Sequence, residues 1–252
     1  MLWNASSIYG YAIEASDGPL GTVSDLLFED TNWAVRWFVV DTGDWLSGRK
    51  VLLPLSALGQ PDRALRRFPV KLTMQQVKDS PDVDTDQPVS RQMETRVYSH
   101  YNWDPYWGGS NFNMNAMATP FVAPLWSTPP DSRNADNQPA KGDPHLRSVA
   151  AITGYHIHAT DGEIGHVDDL LIDEIDWSVS YISVDTSNWW LGQKVLMSPR
   201  SVRKIVWAER LIYLDVDRQK IKDSPALEPA MTVDQAYQLK HRAHYGLARM
   251  EN

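Results

Sequence analysis

Apolar and polar residues alternate with a period of two from Tyr11 to Ala15 and from Gly21 to Glu29, and an Asp17-Gly18 pair sits between the runs. Glycine accepts the positive φ of a tight turn, so this segment predicts a β-hairpin. A second turn at Asp30-Thr31-Asn32 leads into Trp33 to Val40, a β-branched and aromatic run suited to a half-buried strand, and Lys50 to Pro54 follows a Trp-containing loop. Further on, Val202 to Trp207 and Leu211 to Val216 flank Ala208-Glu209-Arg210 as another hairpin. Pro61 and Pro69 make the matching stretch of the first half less regular. Thr73 to Asp79 and Asp217 to Asp223 read as single helical turns, each ended by Ser-Pro. Val89 to Tyr101 and Val233 to Tyr245 carry helical spacing, with Thr232 as an expected N-cap.

These elements occur twice. Residues 10–81 align with 154–225 without a gap, and about 28 of the 72 pairs are identical. Asp17-Gly18 returns as Asp161-Gly162 and Gly21-x-Val23-x-Asp25-Leu26-Leu27 as Gly165-x-Val167-x-Asp169-Leu170-Leu171. Val40-Asp41-Thr42 returns as Val184-Asp185-Thr186, Trp45-x-x-Gly48-x-Lys50-Val51 as Trp189-x-x-Gly192-x-Lys194-Val195, and Lys78-Asp79-Ser80-Pro81 as Lys222-Asp223-Ser224-Pro225. Short strands at intervals of about ten residues indicate small barrels or sandwiches. The expected organisation is a first barrel with a C-terminal helix over 1–102, a Pro/Gly/Asn/Trp-rich linker over 103–147, and a second barrel with its helix over 148–252. The barrels are expected to pair either with each other, as a pseudo-twofold pair inside one chain, or with another protein.

The motif Asp-Gly-x-x-Gly-x-Val-x-Asp at 17–25 and 161–169, followed by Val-Asp-Thr at 40–42 and 184–186, resembles PRC-barrel domains. That small β-barrel is shared by the photosynthetic reaction-centre H subunit and the ribosome maturation factor. Two-PRC-barrel bacterial proteins are similar also in the Trp-x-x-Gly-x-Lys-Val loop and the Lys-Asp-Ser-Pro end. The resemblance implies a mainly β fold, two small PRC-type barrels in tandem, each followed by a short helical segment. It implies no particular reaction. The H subunit's N-terminal membrane helix has no counterpart in the motifs matched here.

Composition narrows the function classes. The chain has no cysteine, which excludes disulfides and thiolate chemistry and fits a cytoplasmic setting. No apolar run approaches the roughly 18 residues of a membrane span, and Met1 to Ser7 lacks the pattern of a signal peptide. A net charge of −8 argues against direct nucleic-acid binding.

Candidate chemistry is sparse. Asp25, Asp41, Asp169 and Asp185 recur in both copies, where acid–base work competes with acceptance of backbone N–H groups in Asx-type turns. His156, His158, His166 and Asp168 fall on one hairpin face and offer nitrogen and oxygen ligands for zinc or another divalent ion, in the second copy only. His100 and His244 correspond and are expected to position the terminal helices; His145 stands alone. Trp33, Trp177, Trp45 and Trp189 are expected as core or loop-clamping aromatics. Trp190, and Trp107 or Phe121 to Trp126 in the linker, are contact-surface candidates. No residue is assigned a catalytic, cofactor-binding or metal role. The expected function is non-catalytic assembly or adaptor work through a protein partner or self-association, with a metal- or small-ligand-binding module, or an accessory role like that of the reaction-centre H subunit or in RNA maturation, as the alternative.

Overall fold

The computed structural model describes residues 1–81, 91–101, 103, 145–186, 194–225, 233 and 235–246. Its first unit contains β1 (Leu2–Asn4), α1 (Ala5–Ile8), β2 (Ala12–Ala15), β3 (Gly18–Glu29), β4 (Ala34–Asp41), β5 (Lys50–Pro54), β6 (Arg67–Pro69), α2 (Met74–Lys78) and α3 (Arg91–Tyr101). The second contains β7 (Leu146–Ser148), α4 (Val149–Ile152), β8 (His156–Ala159), β9 (Gly162–Asp173), β10 (Val179–Asp185), β11 (Lys194–Met197), β12 (Val202–Val206), β13 (Leu211–Leu214), α5 (Arg218–Lys222) and α6 (Gln235–Tyr245). The expected first hairpin, short helix and terminal helix appear in both units, and the expected last hairpin, β12 with β13, in the second. Thr232, Trp107, Phe121 to Trp126, Trp189 and Trp190 lie outside the described residues.

Two sheets result, ordered β5-β4-β3-β2-β6 and β11-β10-β9-β8-β13-β12. The neighbours are antiparallel except β2 with β6 and β8 with β13. This corrects the expectation of closed barrels: among the described residues no ladder joins β5 to β6 or β11 to β12, so both sheets stay open. In the first unit the counterpart of β12 is reduced to the isolated bridges Leu58↔Val70 and Asp62↔Arg67, beside Pro61 and Pro69, which have no N–H to donate.

The central strands explain how the units join. β3 and β9 each have 12 residues, while their hairpin partners β2 and β8 have four. The surplus length presents unpaired backbone, which a fold must cover. Each unit covers it for the other. β1 pairs with β9, Leu2↔Asp173, Trp3↔Ile172 and Asn4↔Leu171; β7 pairs with β3, Leu146↔Glu29, Arg147↔Phe28 and Ser148↔Leu27. Every one of these pairs maps onto its opposite number by the 144-residue offset. Leu146 and Arg147, placed in the linker by sequence pattern, therefore belong to an exchanged arm.

Reciprocity continues where β4 meets β10. The Val35 N–H donates to Trp177 O at 2.9 Å and the Val179 N–H to Trp33 O at 2.7 Å, around an Ala34↔Ser178 bridge. Trp33 and Trp177 sit at φ 59° and 58°, in the turn rather than the strand predicted to start with them. Phe38 and Phe68 of the first unit pack edge-on or tilted against Trp177 at 5.1 and 6.2 Å. One continuous core runs through both units, from Ile8, Ile13 and Phe38 to Ile152, Ile157 and Ile182. Buried apolar area is the main driving force of such a union. Leu146 of the arm lies under α3 with Trp37, Val97 and Tyr98; Leu2 of the other arm packs with Leu171, Tyr181 and Tyr237 under α6.

Gly21 and Gly165 show why the duplicated motif keeps glycine there. At φ 148° and 138°, a Cβ on either would lie 2.0 or 1.9 Å from the carbonyl oxygen of Asp41 or Asp185.

Candidate functional site

The duplicated aspartates are the first candidates, and the fold uses them across the interface. Asp169 accepts from the Ser6 N–H at 3.2 Å and the Ser6 hydroxyl at 2.5 Å, in the first turn of α1 of the opposite unit. Asp25 accepts from the Ala150 N–H at 3.1 Å in the first turn of α4, and from the Ser148 hydroxyl. Each carboxylate thus caps the short helix that follows the other unit's arm, satisfying donors that a helix start leaves open. Each also accepts its own neighbour's amide, Leu26 or Leu170, at 2.7 Å. Burial pushes the Asp169 carboxyl above its ordinary value against the opposing hydrogen bonds from Ser6 and Leu170. Burial and then the charges of Asp25 and Asp169 raise the Tyr9 hydroxyl far above the usual phenol, so both carboxylates act on one interfacial side chain.

Of the remaining repeated acids, Asp41 matches the turn expectation, accepting from the Gly43 N–H at 2.9 Å. Asp17 and Asp161 do more than set a hairpin turn: they accept from Met74 N at 2.8 Å and Arg218 N at 2.9 Å, fastening α2 and α5 to the hairpin tips. His100 and His244 position the terminal helices as expected, their Nε2 atoms donating to Gln76 O at 2.9 Å and Lys220 O at 2.6 Å. Trp45 clamps its loop, its indole N–H donating to Leu20 O at 2.6 Å.

The histidine face disperses. His156 and His166 are direct cross-strand partners, yet the His156 Nδ1 pairs with Glu163 at 2.9 Å, and His166 lies 3.9 Å from Asp185. Both Asp168 oxygens face Lys194 Nζ at 2.8 and 2.7 Å, and Ser183 donates to the same carboxylate. His158 faces Tyr213. Among the described residues no group of three or more His, Asp or Glu side chains is arranged to hold a metal.

A different feature escaped sequence reasoning. A cleft of about 960 Å³ opens beside the interface, between the Asp30 to Trp33 turn, His145 and Arg147 of the arm, and β10, β12 and α6 of the second unit. His145, expected to stand alone, pairs with Asp30 at 2.9 Å, and Arg147 completes the pair at 3.1 Å. Arg147 also lies over the Trp207 ring, 4.2 Å from its centroid. Arg200, Arg203, Lys204 and Arg242 complete a basic lining. At the back is His241, fully buried. Its Nε2 faces Leu196 O at 2.7 Å and therefore carries the proton, which leaves Nδ1 a buried acceptor without a partner. Burial holds this imidazole below its ordinary pKa and so neutral. The sequence signal was a difference between copies: Arg200, Arg203, Lys204 and Arg242 stand where the first copy has Ser56, Gly59, Gln60 and Tyr98.

Comparison with known proteins agrees with the resemblance in the first copy. An uncharacterized protein of Deinococcus radiodurans is 36% identical over 94 residues, which cover 36% of this chain and 34% of the relative. The alignment thus takes in about a third of the length of the curated relative it matches. Residues 4–71, from the end of β1 to just beyond β6, match the family model described as PRC-barrel domain, and one such domain is thereby identified in the chain.

Proposed function

We propose that the chain is a non-catalytic assembly protein, a tandem of two PRC-barrel-type units that presents one fixed surface to a protein partner. The reciprocal exchange of β1 and β7 carries this reading. Two units that complete each other's central strand and cap each other's helix form a single scaffold, and two of the duplicated acids, Asp25 and Asp169, are spent on holding it. The PRC-barrel match at 4–71 supports an accessory or assembly role. The second unit is read as a second copy of the same domain, on the strength of its parallel strand order and about 28 identities in 72 positions. A cytoplasmic location accords with the absence of cysteine. Among the described residues no helix is long and apolar enough to cross a membrane.

The test is affinity capture with the intact chain from a lysate of its native cells, beside light scattering of the purified protein over a hundredfold range of concentration. A stoichiometric protein partner, or a defined oligomer, is the expected result. A chain that stays monomeric and recovers no partner contradicts the assembly reading.

A further inference from the structure

We propose that the cleft beside β12 and α6 binds a small polyanion, a molecule of metabolite size carrying two or more phosphate or carboxylate groups. The inference rests on the cleft and is independent of the assembly reading. Its volume, about 960 Å³, is that of a small-molecule site. Its charge is opposite to that of the protein: five cationic side chains line it against the single carboxylate of Asp30, in a chain of net charge −8. Arg147 is engaged by Asp30 and Trp207. Arg200, Arg203, Lys204 and Arg242 are all exposed, and none of their side chains has a protein partner among the described residues.

Like charges gathered around a concavity repel one another, and a fold gains nothing from placing them together. An anion relieves that repulsion, and walls of low polarizability focus the positive field on it. Guanidinium groups match phosphate and carboxylate oxygens with paired N–H donors. Enclosure favours a small ligand over a polymer, because the negative charge of the whole molecule opposes a nucleic-acid backbone running beyond the cleft.

The experiment is isothermal titration of the full chain at low ionic strength with inorganic tripolyphosphate and, separately, citrate. Saturable one-to-one binding of either supports the site, and the preferred probe identifies its oxyanion class. Arg203→Ala with Arg242→Ala should weaken that binding by about tenfold or more, and raising the salt should weaken it further. Lys71→Ala, which changes an exposed lysine outside the cleft, should leave it unchanged. Absence of saturable binding to both probes, equal binding by the Arg203/Arg242 variant, or binding of a 20-nucleotide single strand in place of the small anions would overturn the proposal.

Discussion

The two ends of the interface are built from the same parts in a different order. At one end Glu174 pairs with Arg63, whose guanidinium lies 3.8 Å from the centroid of Trp3 on the exchanged arm. At the other, Asp30 pairs with Arg147 on the exchanged arm, and that guanidinium covers Trp207. Under the 144-residue offset the acids correspond, while arginine and tryptophan trade positions: Trp3 aligns with Arg147 and Arg63 with Trp207. The fold therefore requires an acid, a guanidinium and an indole stacked in that order of contact, and is indifferent to which strand supplies which. The other cations of the cleft, Arg200, Arg203, Lys204 and Arg242, have no such equivalents. Where both copies preserve an interaction it serves the fold; where only one has the residues, a different purpose is the natural explanation.

The largest expected effect comes from the more deeply buried indole. Trp3 is 4% exposed and packs on Tyr11 and Phe68, so Trp3→Ala should cost about 3–5 kcal/mol in urea unfolding. Trp207 is only partly buried, and Trp207→Ala should cost clearly less. Equal losses at the two ends would show that the indoles are not anchored as described.

Next come the crossed caps. Asp25→Ala and Asp169→Ala should each lower stability by about 0.5–2 kcal/mol. Because both act on Tyr9, the double variant should depart from additivity. A substitution without effect at either position would remove the capping role there. The exchanged order at the ends can be tested by making them alike: Arg147→Trp with Trp207→Arg recreates the arrangement of Trp3 and Arg63. The double variant should be more stable than either single variant, and a simple sum of the two losses would argue against a shared stack.

A smaller effect follows from His241, whose counterpart in the first copy is Val97. Burial depresses its folded pKa below 6.5, so as pH falls through about 6.5 the unfolded chain takes up a proton that the folded chain refuses. Stability should therefore decline on acidification from that point, and His241→Val should flatten this limb relative to the parent. Identical pH profiles would contradict a neutral buried imidazole. Smallest of all, Arg203→Ala or Arg242→Ala should change stability by no more than about 0.5 kcal/mol, because exposed side chains without partners hold nothing together.

Much of this architecture was legible in the residues. Period-two runs, Asp-Gly turns and Ser-Pro stops placed the strands and short helices, and the repeat offered internal pairing as one of two arrangements. Closure and exchange were harder, because alternation tells which face of a strand is buried but not which neighbour covers its edge. The clue lay in β3 and β9, each far longer than its hairpin partner. Asp25 and Asp169 were read as local turn acceptors since their donors, Ala150 and Ser6, lie 125 and 163 residues away in sequence. His145 seemed isolated for the same reason, its partner Asp30 being 115 residues distant. The cleft was hidden differently: its cations were visible in the second copy, but only the fold brings α6 beside β12 and the opposite unit's turn.

The most direct test of the exchange uses the absence of native cysteine. Leu2→Cys with Asp173→Cys places two thiols at directly opposed positions of β1 and β9. Mild oxidation followed by mass measurement and non-reducing electrophoresis should give a monomer lighter by two hydrogens, with the bond closed inside one chain. Failure to cross-link in the folded protein, or bonds formed only between chains, would contradict the reciprocal exchange on which the account depends.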